Sequence, residues 1–276
     1  MGVFQINHNI SSINVQRNLG QTSLALGKSL EKLSSGLRIN SGWDGPADLN
    51  ISEQLRSQIG GIKSAIRNTQ EAMNFVAVGE GALAEISNML VDLRAKAVHA
   101  ANEDLVSSGQ READQAEVDA IVLAVDQIIA STTYAGQAVF GNGSQTFHVG
   151  PNGVAGVDTV DFDLGGPSAA ELTIDTIDLT AAGGGAAAMA IISTAIGDVA
   201  ELRGDYGSFM RHQLQATINS LNVQLENVTA TESYIRDTNM AEEVSEYTKQ
   251  QILVQAGMSV LAQANVSSQS VLQLLG

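Results

Sequence analysis

The sequence predicts a mainly α-helical protein: a hairpin of long, coiled-coil-like helices with a small β-hairpin region inserted mid-chain. Aromatic residues are only 4% of the 276 residues, and the three prolines leave residues 47–150 and 168–276 free of Pro. This composition favours long helices over a β-sandwich or barrel. Apolar residues recur in steps of three and four at both ends of the chain, which is typical of helices that pack side by side.

The first helix is predicted over residues 5–35. Apolar residues in and just after it keep nearly to a heptad: Ile6, Ile10, Ile13, Leu19, Leu26, Leu30, Leu33 and Leu37. Ser34-Ser35-Gly36 supplies a stop signal. Residues 40–47 then form a connector marked by Gly and Pro, which carries the single Trp of the chain, Trp43.

Two more helices are predicted over residues 48–99 and 111–131. The second helix would be roughly 75 Å long, and a helix of that length needs others beside it. Its apolar stripe follows the four-three step with two polar interruptions: Leu55, Ile59, Ile62, Ile66, Thr69, Met73, Val76, Glu80, Leu83, Leu90 and Ala97. The stripe of the third helix is Val118, Val122, Val125 and Ile129.

The helical pattern of apolar residues stops between residues 132 and 185, where clusters of Gly appear. Residues 157–164 and 172–179 alternate apolar residues with Asp and Thr, which predicts two strands that each have one apolar face. Residues 145–149 are predicted to form another strand. A small β region therefore interrupts an otherwise helical chain.

Helix returns over residues 186–232, with a heptad stripe of Met210, Leu214, Ile218, Leu221, Leu225 and Val228. The terminal stretch, residues 231–276, lacks charged side chains after residue 250 and has two apolar stripes. One stripe is Leu253, Val260, Ala264, Val271 and Leu274, and the other is Val254, Met258, Leu261, Leu272 and Leu275. Two stripes suggest two partners, one a helix of the same chain and one a neighbouring molecule. An ordinary C-terminal helix docked in a globular core is the alternative.

Charge is distributed unevenly along a chain of net charge −16. Residues 1–67 carry seven Lys and Arg against four Asp and Glu, whereas residues 68–202 carry three against nineteen. An acidic middle argues against nucleic-acid binding, which needs a basic face. The middle is expected to stay in water while the ends are buried. No segment approaches the eighteen apolar residues of a membrane span, and residues 1–20 lack the pattern of a secretory signal.

The residues form no catalytic constellation, so no enzyme activity is expected. The chain has no Cys and four scattered His at positions 8, 99, 148 and 212. The Gly clusters do not continue as phosphate-binding loops, and the Asp residues of 158–178 lack the EF-hand pattern. No cofactor and no metal site are predicted.

Both ends closely resemble bacterial flagellin, roughly over residues 1–140 and 190–276. The matching residues at the N-terminal end include Ile6-Asn7-His8-Asn9, Asn14, Leu30, Lys32 to Ser41, Ile51-Ser52, Leu55-Arg56, Asn68 and Asn74. Those at the C-terminal end are Ile235 to Glu243, Gln251 to Gly257, Leu261 to Asn265 and Leu274-Leu275. The resemblance implies a structural subunit that self-polymerises into the flagellar filament and is exported to the cell exterior by the flagellar type III apparatus, without a cleaved signal peptide.

The resemblance also implies a layered organisation. Residues 1–42 and 235–276 would form an inner coiled coil, residues 43–140 and 186–234 a shell of long helices, and residues 141–185 a small β region facing outside. A flagellar export chaperone and the hook-associated junction and cap proteins are the implied partners. The residues predicted to pack between subunits are Ile6, Ile10, Ile13, Leu26, Leu30, Leu33, Leu253, Val254, Leu261, Leu272 and Leu275.

The chain departs from the family in two places. The connector continues as Gly42 to Leu49 with Trp43, where flagellins usually carry a small, charged run. The segment that aligns with the site of the vertebrate Toll-like flagellin receptor keeps Arg94 and Glu117. Asp92 and Lys96, however, stand where the family has a basic and an apolar residue, so poor receptor recognition is predicted.

Two alternative functions remain open from the sequence. A flagellin-like hook–filament junction protein would share the end helices but be made in few copies. An acidic coiled-coil binding module without a polymer role would be a stable monomer with ordered termini. The sequence instead predicts terminal helices that are too apolar to stay folded alone.

Overall fold

The computed structural model describes residues 8–141, 143–154 and 156–275, and for residues 267–275 it describes the backbone alone. Within these residues the chain is mainly helical, as predicted. The α-helices are α1 (Ile10–Ser35), α2 (Pro46–Ala100), α3 (Ser108–Ser131), α4 (Gly184–Ser208), α5 (Gln215–Arg236) and α6 (Met240–Leu275). The strands are β1 (Thr133–Tyr134), β2 (Gln137–Ala138), β3 (Ser144–His148) and β4 (Thr159–Asp163).

The chain divides into two compact units. Unit 1 comprises residues 1–57 and 227–276, and so joins the two ends of the chain. Unit 2 comprises residues 58–226. Helices α2 and α5 each run from one unit into the other.

The core of unit 2 is built on two rows of α2 that repeat every seventh residue. One row has relative exposures of 0% throughout: Ile62, Thr69, Val76, Leu83, Leu90 and Ala97. The other row is made of small residues except for Ile86 and Leu93: Ala65, Ala72, Gly79, Ile86, Leu93 and Ala100. Thr69 is accommodated because its hydroxyl donates to the Ala65 carbonyl at 2.7 Å. The predicted heptad of this helix is therefore the buried face in unit 2.

A chain of aromatic rings links α2 to the β region and to the helix after it. The rings of Phe162 and Phe209 are stacked with centroids 4.1 Å apart, and Phe162 also meets Tyr206 edge-on at 5.3 Å. Phe147 continues the cluster from Phe209 to Phe75. Burial raises the pKa of the fully buried Tyr206 hydroxyl well above its ordinary value. The helix α2 passes close to this cluster at Gly79 without a break.

The β region contains two short antiparallel hairpins. Strands β3 and β4 pair with Gln145 opposite Phe162 and Phe147 opposite Val160, and these four side chains are half-buried. They confirm the strands predicted at 145–149 and 157–164. The smaller hairpin, β1–β2, was not predicted. It turns through Ala135 and Gly136, both at positive φ.

The prediction of a strand at residues 172–179 is wrong. Thr173 has a left-handed conformation at φ 56°, and residues 174–176 form a 3-10 turn. Leu172, Ile174, Ile177 and Leu179 are nevertheless all buried. Gln115 of α3 replaces a partner strand: its amide donates to the Ile177 carbonyl at 3.0 Å and accepts from the Leu179 N–H at 2.7 Å.

Helices α4 and α5 are joined by a π-helical turn, Phe209–Leu214, into one continuous helix. By length and composition this helix could cross a membrane, with a mean hydropathy of 1.4 in its most apolar window. The prediction that no segment reaches this level is therefore wrong. Its buried row lies in the core of unit 2, however: Ala188, Ile192, Ala195, Val199 and Tyr206. This row accounts for part of the apolar composition, since 28% of that window is buried within the chain.

Candidate assembly interface

Helices α1 and α6 pair antiparallel in unit 1. At one end the Asn9 amide donates to the Ala264 carbonyl at 3.1 Å. A side-chain methyl of Leu19 lies 3.2 Å from the place that a Cβ on Gly257 would occupy. Further along, the Lys32 ammonium lies 3.7 Å from a Glu243 carboxylate oxygen. As the contacts advance along α1 they therefore move back along α6, which is the antiparallel order.

The face of α1 that meets α6 follows alternating steps of three and four. We call these residues, which are buried or half-buried, the α1 seam: Ser12, Val15, Leu19, Thr22, Leu26, Ser29 and Leu33. The half-buried residues of α6 follow the same rule and form the α6 seam: Glu243, Tyr247, Gln250, Val254, Gly257, Leu261 and Ala264. Small and polar residues alternate with leucines, which allows a close approach but buries little apolar area.

The junction beside the paired helices is held by backbone contacts between the two chain ends. Leu37 and Asp237 form an isolated antiparallel bridge, and the Arg38 N–H donates to the Arg236 carbonyl at 2.7 Å. Gly36 ends α1 in the left-handed conformation at φ 73°, where a Cβ would be strained. The Arg236 guanidinium donates to Glu53 at 2.9 Å.

These contacts set the charge state of Glu53. The hydrogen bond from Arg236, and after it the bond from Arg56, hold the pKa of the Glu53 carboxyl below its ordinary value. The start of α2 is thus joined to the end of α5 by an ion pair in which the carboxylate stays charged.

The predicted inter-subunit residues fall into three groups. Leu26, Leu33, Val254 and Leu261 lie on the two seams, and so pack within the chain. Ile10, Ile13, Leu30 and Leu253 lie outside the seams and are 46–58% exposed. Ile6 and the side chains of Leu272 and Leu275 lie outside the described residues.

The list of predicted inter-subunit residues left out several exposed apolar residues of these helices, although Met258 and Val260 lie on the predicted apolar stripes of the terminal stretch. Leu24 is 73% exposed, and the others are between 52% and 59% exposed: Ile252, Met258, Val260 and Val266. Together with Ile10, Ile13, Leu30 and Leu253 they make up the exposed apolar set of unit 1. Many exposed large apolar side chains on one pair of helices are typical of a protein–protein contact site. The helical period contains a signal for Leu253 and Val260, which lie one heptad apart directly beside the α6 seam.

The predicted receptor segment lies at the end of α2 and on α3. Asp92 and Arg94 are exposed, whereas Lys96 is half-buried and forms an ion pair with the Glu117 carboxylate. Glu117 is the main cause that raises the pKa of the Lys96 ammonium. The Glu117 carboxylate therefore already has a cationic partner on the same chain.

No cluster of three or more metal-ligating side chains occurs among the residues that the structure describes.

Comparison with known proteins assigns these features to a family. The chain matches the bacterial flagellin N-terminal helical region over residues 6–146 and the C-terminal helical region over residues 189–275. It is 36% identical to flagellin FlaB1 of Treponema pallidum and 34% identical to the flagellin of Bacillus subtilis. Each comparison covers 98% of this chain and 99% of the relative. It is also 36% identical to the flagellar filament 33 kDa core protein of Treponema phagedenis, with the same coverage.

Proposed function

This chain belongs to the bacterial flagellin family of structural proteins, and from that premise we propose which of its surfaces perform the assembly. The protein is a filament subunit that self-polymerises into the bacterial flagellar filament. The matches to filament proteins extend over the whole chain, and nothing in them favours the junction-protein alternative. The proposal concerns the finer assignment: the α1–α6 pair is the assembly element.

The proposal is supported by an imbalance between what the α1–α6 pair buries and what it exposes. Its seams contain Ser12, Thr22, Ser29 and Gln250, while the exposed apolar set of unit 1 remains in water. Burial of a large aliphatic side chain contributes about 1.5–3 kcal/mol. Most of that gain is still available in the single chain. Packing against a neighbouring copy would realise it, with the seams facing inward and the exposed apolar set facing the neighbour.

We assign the contact first to Leu253 and Val260, which lie one heptad apart on the same side of α6. They are 46% and 53% exposed, beside the seam residues Val254 and Leu261. Introducing Asp at both positions would place two carboxylates in the proposed contact without touching the seam. An unpaired buried charge is strongly unfavourable at an interface.

The test is seeded polymerisation of the Leu253→Asp/Val260→Asp variant, followed by electron microscopy. The matched control is Gln255→Asp/Gln263→Asp, which adds the same charge at exposed polar positions of the same helix. We expect the control to form filaments and the first variant to stay soluble with an unchanged helix content. Equal assembly by both variants would contradict the role of the exposed apolar set, and equal failure would show that charge alone blocks assembly.

Export is proposed to occur through the flagellar type III apparatus without a cleaved signal peptide. A flagellar export chaperone is the proposed partner before assembly, since the exposed apolar set of unit 1 needs cover in the cell. Junction and cap proteins are the proposed partners at the filament ends. Mass spectrometry of filament subunits should recover peptides from the region of residues 1–17; their consistent loss would contradict export without cleavage.

Weak recognition by the Toll-like flagellin receptor is also proposed. Asp92 places a negative charge in the segment, and the Glu117 carboxylate is already paired with the Lys96 ammonium of the same chain. The Asp92→Arg/Lys96→Leu variant restores the family pattern of a basic and an apolar residue. In a receptor reporter assay we expect this variant to be more potent than the native chain. Full potency of the native chain would contradict the proposal.

A further inference from the structure

We propose that Trp43 is a docking residue for a second copy of this chain, and that its indole becomes buried when the copies polymerise. The inference rests on the proposed function, since it needs assembly to occur. It adds a contact in the connector between α1 and α2, outside the α1–α6 pair.

Trp43 is left almost wholly in water by its own chain. Its exposure is 93%, higher than that of Leu105 and Tyr234 at 85%. An indole is a large apolar group whose exposure is unfavourable, and Trp is enriched among the residues that dominate protein–protein contacts.

The loop that carries Trp43 is ordered by the residue that follows it. A single carboxylate oxygen of Asp44 accepts from the Asn40 N–H at 3.3 Å, the Ser41 N–H at 3.0 Å and the Ser41 hydroxyl at 2.9 Å. These bonds, led by the one from the Ser41 hydroxyl, hold the pKa of the Asp44 carboxyl below its ordinary value. The Lys28 ammonium of α1 lies 3.8 Å from the same carboxylate.

Both ends of the loop are anchored as well. Ile39 is buried at 2% exposure, and the Asn40 amide donates to Glu31 of α1 at 2.7 Å. On the other side the Leu49 N–H donates to the Gly45 carbonyl at 2.9 Å as α2 begins. The loop therefore holds the backbone that carries the indole in place, and little backbone conformational entropy remains to be lost on docking.

A second copy is the occupant that the surroundings favour. Trp43 belongs to unit 1, which also carries the exposed apolar set and the 46% exposed Ile51 of α2. Unit 1 is close to neutral, with seven Lys and Arg against nine Asp and Glu, whereas unit 2 carries seven against twenty-one. Two copies of unit 1 can therefore approach with far less repulsion than two copies of unit 2.

Because Trp43 is the single Trp of the chain, fluorescence reports on this site alone. We would record the emission spectrum and iodide quenching of the full chain as monomer and as seeded filament. The proposal predicts red-shifted, strongly quenched emission in the monomer, and blue-shifted emission with several-fold weaker quenching in the filament. Filaments with an unchanged, exposed indole would overturn it while leaving self-assembly intact. A monomer whose indole is already shielded would also overturn it.

A substitution series gives an independent measurement. Trp43→Ala should raise the critical concentration for assembly on the order of ten- to a hundred-fold, and Trp43→Phe should recover part of the loss. The control is Leu105→Ala, which removes another highly exposed apolar side chain, from unit 2, and should leave the critical concentration unchanged. Equal critical concentrations for Trp43→Ala and the native chain would overturn the proposal. Failure of the native chain itself to polymerise would overturn both it and the proposed function.

Discussion

The contact between Gly79 and the aromatic cluster makes a sharp test of the packing in unit 2. A Cβ added at Gly79 would lie 2.8 Å from Tyr206 Cε1 and 3.1 Å from Val139 Cγ1. Gly81 lies two residues further along the same helix, and a Cβ there would meet nothing within 4 Å. Gly79→Ala and Gly81→Ala are thus a matched pair that differ in packing and share the change in helix propensity.

The magnitudes follow from these two environments. Replacing Gly by Ala in a helix interior stabilises by roughly 0.5–1 kcal/mol. This gain is all that changes at Gly81. At Gly79 the added methyl overpacks a filled core, which costs about 1–3 kcal/mol. The propensity gain cancels in the comparison, so Gly79→Ala should be less stable than Gly81→Ala by about 1–3 kcal/mol.

Thermal unfolding of the monomer, followed by far-ultraviolet circular dichroism, would measure this difference. For a unit of this size 1 kcal/mol corresponds to roughly 2–4 °C in Tm, so Gly79→Ala should melt below Gly81→Ala by at least about 2 °C. Equal melting temperatures, or a higher value for Gly79→Ala, would refute the packing of Tyr206 against α2.

Three other perturbations test separate contacts. Gln115→Leu leaves the Ile177 carbonyl and the Leu179 N–H without partners, which costs about 1–3 kcal/mol for each group. The variant should have a lower Tm and faster amide exchange in residues 177–179. Unchanged exchange would contradict the two hydrogen bonds from Gln115. The depressed pKa values of Glu53 and Asp44 stabilise the fold above their ordinary values of 4.5 and 3.8, and this contribution is lost as pH falls through the lower folded values. Glu53→Gln and Asp44→Asn should therefore flatten the acid side of the stability profile, and a profile as steep as the native one would argue against these bonds. Because the pKa of Tyr206 is raised, its stabilising effect is complete below pH 10 and is lost only as pH rises through the folded value; an alkaline spectrophotometric titration should show one of the four tyrosines resisting ionisation until unfolding.

The long helix α2 could be predicted from the sequence because its burial is periodic and local. Ile62, Val76 and Leu83 recur at multiples of seven residues, and all are fully buried. Sequence spacing alone carries this information, since a helix buries a fixed face along its whole length.

The segment 172–179 could not be predicted in the same way. Its alternation of apolar and polar residues is shared by a half-buried strand and by an irregular segment that buries the same side chains. What decides between them is the partner of its backbone. That partner is the side chain of Gln115, more than sixty residues away in sequence, and no local pattern indicates it.

Which apolar residues of unit 1 pack within the chain, and which stay exposed, was also only partly predictable. The spacing identified Leu19, Leu26 and Leu33, which lie on the α1 seam, but ranked Ile10 and Ile13 beside them. Helix α6 packs on the side of α1 where small and polar residues alternate with leucines, because small side chains let two helices approach closely. Apolar periodicity ranks residues by size and spacing, and it does not say which side a partner helix will take.

The central claim is that the α1–α6 pair, with its exposed apolar set, is what assembles the filament. The most direct measurement is seeded polymerisation of the full chain beside a chain that lacks residues 250–276, with both products viewed by electron microscopy. Removing these residues deletes five of the seven residues of the α6 seam and leaves the residues of unit 2 unchanged, which the thermal transition of unit 2 would verify. The account predicts tubular filaments from the full chain and none from the shortened one. Filaments from the shortened chain, or a full chain that stays monomeric beside active seeds, would contradict it.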